Sequence, residues 1–511
     1  MKKCLTILVC ICLLLGCAAS LTAYASEQST AAATQQASTE QTTQTTTNGQ
    51  TTRPERASYM PLNSSEGYAS GTISITMPKQ SNATSFSVYW GDAMGNKLPG
   101  YGALYTAKIT YSPILVSLTE NFTVPSNAKS MLIYTSNEQY GDCPLPYKID
   151  LPKFTRPETG KQLAEFVVVS DLHLGRDKTA EKNFLAMLKD VTTNAPSAAG
   201  IIVVGDTVDA AADTNYALFD QLYASVSGAP PVFWGIGDGE YLTPDSYAYD
   251  ANAHKTNLQK FLSHVKTPTG VTLYTSYYTY FMGGCNMIFL GADSYKDGNA
   301  VYSEAQLNWL KAVLAQTSLD KPAFVFMHEP LPDTVSGSTH LQGYGNVYNY
   351  LQVQSIIEQY SNVVMFNGHT HWTMDAERTM YKFKNGAKAF NTASVASLWI
   401  DQNGTGNELA GSQGYYVTVY EEAILVRGRD FTTGQWIPQA EYLLSTKQPV
   451  VTTEADTTPP KTTTATTNTE AETQEEEESM LSELATPLLI LACMAVIVFI
   501  LVFRNPQDSE S

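Results

Sequence analysis

The chain has 511 residues, of which 43% are hydrophobic, and it carries 49 acidic against 31 basic side chains for a formal net charge of −18. That length and apolar share exclude a wholly disordered chain and a small stapled scaffold, and they leave room for two or three domains. The acid excess argues against a nucleic-acid partner, because phosphate backbones are held by clustered Lys and Arg.

Residues 1–25 read as a signal peptide, with Lys2 and Lys3, an apolar run from Leu5 to Leu15 and a small-residue cleavage site at Ala23-Tyr24-Ala25. Leu14-Leu15-Gly16-Cys17 offers a second reading as a lipobox, with lipidation at Cys17. Residues 26–57 form a Ser/Thr/Gln-rich linker that lacks the apolar side chains a core requires. Over 58–150, short alternating segments such as Thr72–Thr76, Ser85–Trp90, Ala103–Thr110 and Lys129–Tyr134 predict an all-β sandwich. This part looks like a fibronectin-III-type module.

Beyond it the pattern changes. Phe166–Ser170, Gly200–Val204, Val232–Trp234, Met287–Leu290, Ala323–Met327 and Val363–Phe366 are continuous apolar runs. Helical stretches at Glu181–Val191 and Ser303–Leu314 separate some of them. Strands without alternation are buried on both faces, so residues 160–440 are expected to fold as an α/β domain. Alternation returns at Gly414–Tyr420 and Ile424–Asp430, which should close the second sheet. The aromatic run Tyr274–Phe281 reads as a packed strand.

Residues 449–480 are a Thr- and Glu-rich linker, ending in the acidic run Glu475 to Glu478. Residues 484–503 carry no charge, and twenty residues at ~1.5 Å each match a ~30 Å hydrocarbon core. They are expected to cross a membrane as a helix, leaving 504–511 as a cytoplasmic tail. An exported, membrane-held protein with its folded part outside, within reach of a cell wall, follows from these ends. Only Cys143 and Cys285 lie outside the leader and this segment, so no disulfide framework is expected.

Four potential ligand sets each follow a buried run: Asp171-Leu172-His173, Gly205-Asp206-Thr207-Val208-Asp209, His328 before Glu329-Pro330, and Gly368-His369-Thr370-His371. Carboxyl ends of strands in an open α/β sheet line one crevice, so these distant positions should converge. Carboxylates with imidazoles suit divalent Mn, Fe or Zn. Four of the seven histidines fall in these motifs.

Their order and spacing over residues 163–435 resemble the calcineurin-like metallophosphoesterases. The resemblance implies a four-layer α/β/β/α sandwich and hydrolysis of phosphate mono- or diesters by a water activated between two divalent metal ions. Asp171, His173 and His371 would then hold one ion, and His328 and His369 the other with a ligand from Asp238. Asp206 would bridge the two. Asp209 and Glu240 would orient the ligands from behind.

One motif departs from the family. Where Gly-Asn-His-Glu is expected, the chain has Gly237-Asp238-Gly239-Glu240. Asp238 can replace a neutral ligand with a charged one, but Gly239 cannot transfer a proton. General acid assistance is worth ~10²–10⁴ in rate, so acid-assisted turnover should be weakened. His254, His264 and His340 are candidates for a substitute acid, and Gly239→His suggests itself as a repair. The alternative function is a catalytically impaired surface binding protein on the same fold.

Overall fold

Alternate residues of the strand Gln162–Val169 face two different cores. Phe166 and Val168 pack into one cluster with Phe324, Phe326, Phe366 and Phe390, while Val167 and Val169 pack into another with Phe184, Met187 and Val191. The first cluster lies between two sheets, and the second joins them to their covering helices. This is why the central strands read as unbroken apolar runs.

The computed structural model describes residues 49–446, apart from 64–67, 153–157, 266–269, 271 and 403–404. One six-stranded sheet has the order Val232–Trp234, Ile201–Val203, Gln162–Val169, Gln413–Tyr420, Ala423–Asp430, Gln435–Ser445. Its first three strands are parallel and the rest antiparallel. The second has the order Tyr278–Met282, Cys285–Leu290, Ala323–Met327, Val363–Asn367, Lys388–Asn391, Met380–Lys382, parallel except at its two edges. Helices Lys178–Asn194 and Asp213–Ala224 contribute Phe184 and Phe219 to the outer core, and Glu304–Gln316 and Tyr350–Ile357 contribute Leu310 and Ile356. Ser303 starts one of these helices by accepting from the Gln306 N–H, and Asp177 starts another by accepting from Thr179 and Ala180.

Among the described residues the N-terminal part is built of strands, in a three-stranded sheet (Arg56–Asn63, Tyr68–Thr76, Ile114–Thr123) and a second sheet centred on Ser85–Gly91 and Ser130–Asn137. They share a core of their own around Phe86, Val88, Trp90 and Met131. Order begins earlier than expected: Thr51, placed in the linker by its composition, is buried and its hydroxyl donates to the Gly141 carbonyl. Cys143 and Cys285 are both free and buried. The aromatic run forms its strand only from Tyr278, whose ring stacks on Phe289 at 4.4 Å.

One expectation is corrected. Among the described residues no helix is long and apolar enough to cross a membrane, against the expected transmembrane helix, membrane partner and membrane location. The stretch 484–503, the leader 1–25 and the linker 449–480 lie outside the described residues.

Candidate metal centre

Three of the motifs turn sharply as they leave their strands. Asp171, His173, Asp206, His369 and His371 all have positive φ, between 43° and 67°. Such a backbone costs ~1–3 kcal/mol at a non-glycine residue and persists only where its surroundings hold it. The surroundings are specific here. Asp171 N–H donates to the Gly205 carbonyl and His173 N–H to the Asp206 carbonyl, each at 3.0 Å. His369 N–H donates to the Asp171 carboxylate at 3.0 Å, and Ser394 Oγ and Ala396 N–H donate to the Asp171 carbonyl.

The side chains then converge. His371 Nε2 lies 3.1 Å from Asp171 Oδ1 and 3.1 Å from His173 Nε2. Asp238 Oδ1 lies 3.2 Å from His328 Nε2 and 3.0 Å from His369 Nδ1. Asp206 stands between these groups, with Oδ2 3.5 Å from His173 Nε2 and Oδ1 3.4 Å from His328 Nε2. Three overlapping sets could hold a cation: Asp171, His173 and His371; Asp238, His328 and His369; and Asp171, Asp206 and His328. Both ring nitrogens of fully buried His328 lack a hydrogen-bond partner among the described residues. An unsatisfied imidazole facing three carboxylates is the donor set expected around a divalent ion.

The electrostatics point the same way. Burial would raise the Asp171 carboxyl, but the His371, His328 and His173 imidazoles hold it below the usual carboxylate range. Asp238 is held well below that range by His369 and His328, again against burial. Burial opposes charge on His173, yet the hydrogen bond to Asp209 and the Asp206 and Asp171 charges push it up to about 9. Asp209 Oδ1 is 2.9 Å from His173 Nδ1, which leaves Nε2 as the atom facing the cluster.

Glu240 holds the backbone of the loops that carry Asp206 and Asp238. Its buried carboxylate accepts N–H donors of Asp206 (3.0 Å), Thr207 (2.7 Å), Val208 (3.2 Å) and Gly237 (2.7 Å). It ties the Asp206 loop to the Gly237 loop through their backbones and touches no ligand side chain. Gly239 is equally constrained. Its N–H donates to Asp206 Oδ1 at 2.7 Å, and a Cβ there would sit 2.6 Å from the Val208 carbonyl oxygen. Space for a histidine is absent at this position.

Residues 164–373 match the calcineurin-like phosphoesterase family model. That match, with the ligand clusters, supports a metal-dependent phosphoesterase hydrolase. No curated protein matches the chain. Among solved structures, the chain is similar to a purple acid phosphatase from yellow lupin (Lupinus luteus), at 13% identity and a TM-score of 0.43, with 77% of this chain and 74% of that one covered. It is also similar to a predicted phosphoesterase from Streptococcus pneumoniae (10% identity, TM-score 0.26, covering 55% and 97%). A third is the phosphopantetheinyl hydrolase of Mycobacterium tuberculosis (14% identity, TM-score 0.28, covering 45% and 90%).

Within this phosphoesterase-like domain, none of the three spare histidines joins a ligand cluster. His254 stacks on Tyr241 at 4.3 Å, His264 stacks on Tyr216 at 4.4 Å, and His340 is exposed. Residues that no motif announced support the centre instead. Thr370 Oγ1 donates to Asn391 Oδ1, and Asn367 Nδ2 donates to the Met327 carbonyl at 2.7 Å, bracing the loops that carry His328 and His369. Tyr344 places its ring 6.0 Å from that of His369. Small polar side chains and single tyrosines carry no distinctive sequence signal.

Proposed function

We propose that the protein is a phosphoesterase that hydrolyses phosphate mono- or diesters with a water activated between two divalent ions, and that its acid assistance is weakened. Asp206 carries this reading, because its two carboxylate oxygens face opposite halves of the ligand set at 3.5 and 3.4 Å. Asp171, His173 and His371 would hold one ion and Asp238, His328 and His369 the other, with Asp206 placed to serve both. Two such ions lower the pKa of a water and offset charge on the transferring phosphoryl group. The remaining residues shape that arrangement. Asp209 fixes the His173 ring, and Glu240 fixes the loop that presents Asp206.

No side chain at 239 reaches a departing oxygen. Aryl phosphates, whose leaving groups need no proton, are therefore the better substrates, and alkyl phosphates the poorer. The N-terminal strands, with their own core, form a fibronectin-III-like module beside the catalytic domain.

The test is hydrolysis of an aryl phosphate by protein supplied with Mn²⁺. Activity that disappears in Asp206→Ala supports the enzyme. A flat assay with the metal fully loaded supports a binding protein on the same fold.

A further inference from the structure

A cavity of about 300 Å³ opens directly from the metal centre, where Asp238 and His369 form part of its wall. Tyr249, Tyr295 and Leu242 supply apolar surface, and the carboxylates of Glu329 and Asp297 also line it. The lining contains no Lys or Arg among the described residues. The neighbouring cation, Lys296, is not part of the lining, and its Nζ donates to the Tyr348 hydroxyl at 2.5 Å.

We propose that this cavity receives the leaving group of the ester, and that this group is a small alcohol bearing a positively charged ammonium, of the choline or ethanolamine kind. The inference rests on the phosphoesterase reading above and names its substrate class.

Three observations carry it. First, beyond the metal ligands, a second phosphate or a carboxylate on the leaving group would meet the Glu329 and Asp297 carboxylates with no Lys or Arg in the lining to offset them, which disfavours nucleoside polyphosphates. Second, the Tyr249 and Tyr295 rings, 5.1 Å apart and tilted by 55°, make an aromatic corner beside those acids. Aromatic faces with nearby negative charge are a recurrent way to hold alkylammonium groups. The Tyr295 hydroxyl donates to Glu329 Oε1 at 2.5 Å and Tyr302 to Oε2 at 3.0 Å, so the carboxylate is fixed in place and the Tyr295 ring is held with it.

Third, the chemistry compensates for Gly239. Water attacks phosphorus, the phosphorus–alkoxide bond breaks with its electron pair on the departing oxygen, and that oxygen takes a proton from solvent. An ammonium group two carbons away withdraws electron density and makes the departing alkoxide less basic. Such a leaving group needs less of the proton delivery that position 239 cannot provide.

The experiment uses the full chain loaded with Mn²⁺ and compares kcat/KM for phosphocholine, its uncharged isostere 3,3-dimethylbutyl phosphate, ATP and an aryl phosphate. Phosphocholine should exceed the isostere by about tenfold, with ATP below both, and Asp297→Asn should shrink that ratio. Aryl phosphate turnover with no preference for phosphocholine over the isostere overturns the inference and leaves the phosphoesterase reading intact. Should no ester be hydrolysed, calorimetry of choline against 3,3-dimethylbutanol decides the cavity on its own. Tighter choline binding that Asp297→Asn weakens supports it, and equal or absent binding overturns it.

Discussion

Gly239 sets the limit on what the candidate metal centre can become. Its virtual Cβ lies 2.6 Å from a backbone carbonyl and 3.0 Å from Asp206 Oδ1, and neither can retreat without moving a ligand. Gly239→Ala is therefore expected to lower stability by ~1–3 kcal/mol in denaturant unfolding, as overpacking does. Gly239→His should lose metal content without gaining alkyl phosphatase activity; a folded variant with faster alkyl turnover would sink this account. Glu240→Gln replaces one acceptor oxygen by an amide N–H among four backbone donors, and each donor left unpaired costs ~1–3 kcal/mol. A thermal midpoint within a degree of the parent protein would refute that role. Asp209→Ala frees the His173 ring, and Mn²⁺ affinity by calorimetry should fall ~10–100-fold. The sequence pattern located the candidate ligands because metal chemistry demands Asp and His side chains at strand ends. It carried no sign of Glu240's partners, which are backbone amides, and it made room for a histidine that the Val208 carbonyl denies.

Elements were legible where burial imposes a pattern. The strands at 201–203, 323–327 and 363–367 lie wholly in the core, and each shows as an apolar run in the sequence. The strand Gln435–Ser445 was not legible, since Pro438 argues against a regular ladder. The structure accommodates the proline where pairing slips, between the matched positions Gly428–Ile437 and Arg427–Glu441. The helix Lys178–Asn194 is fixed to this same sheet by a polar contact that periodicity cannot foresee. Arg429, 6% exposed, donates from Nη2 and Nε to Asp190 at 2.7–3.1 Å, and the Tyr416 hydroxyl donates to the same carboxylate at 2.6 Å. Removing one partner of a buried pair strands the other, so Asp190→Ala should cost ~3–5 kcal/mol in urea unfolding. Its Mn²⁺ affinity should match the parent protein, because the pair touches no ligand. Weakened metal binding with unchanged stability would contradict this division.

At the scale of the molecule, the irregular edge strand becomes the seam to the N-terminal sheets. Trp436 N–H donates to the Gly100 carbonyl at 2.6 Å and its carbonyl accepts from Gly102 at 3.1 Å, extending strand-like pairing across the boundary. Thr123 Oγ1 donates to the Glu441 carbonyl at 2.7 Å, Tyr101 to the Glu441 carboxylate, and Gln439 Nε2 to the Ala103 and Leu104 carbonyls. An edge left open would expose unpaired backbone groups, and here the bulged segment is covered instead. Composition marked the change from alternating to continuous strands but carried no sign of this bonding, which uses main-chain atoms and ordinary polar side chains. The Trp436 ring anchors the seam, with the Arg427 and Arg429 guanidinium carbons 4.0 and 4.6 Å from its centroid and Tyr416 edge-on at 5.1 Å. Because the N-terminal strands and the two six-stranded sheets fall within one compact unit, the two parts should melt together, with calorimetric and van't Hoff enthalpies in agreement. Trp436→Ala deletes a large aromatic side chain and its cation contacts, which is expected to cost ~3–5 kcal/mol at the seam. The variant should then show two resolved transitions, the metal-dependent one shifting with added Mn²⁺ and the other not. Two transitions already present in the parent protein would show that the seam does not couple the parts; a single transition in the variant would show that Trp436 is not its anchor.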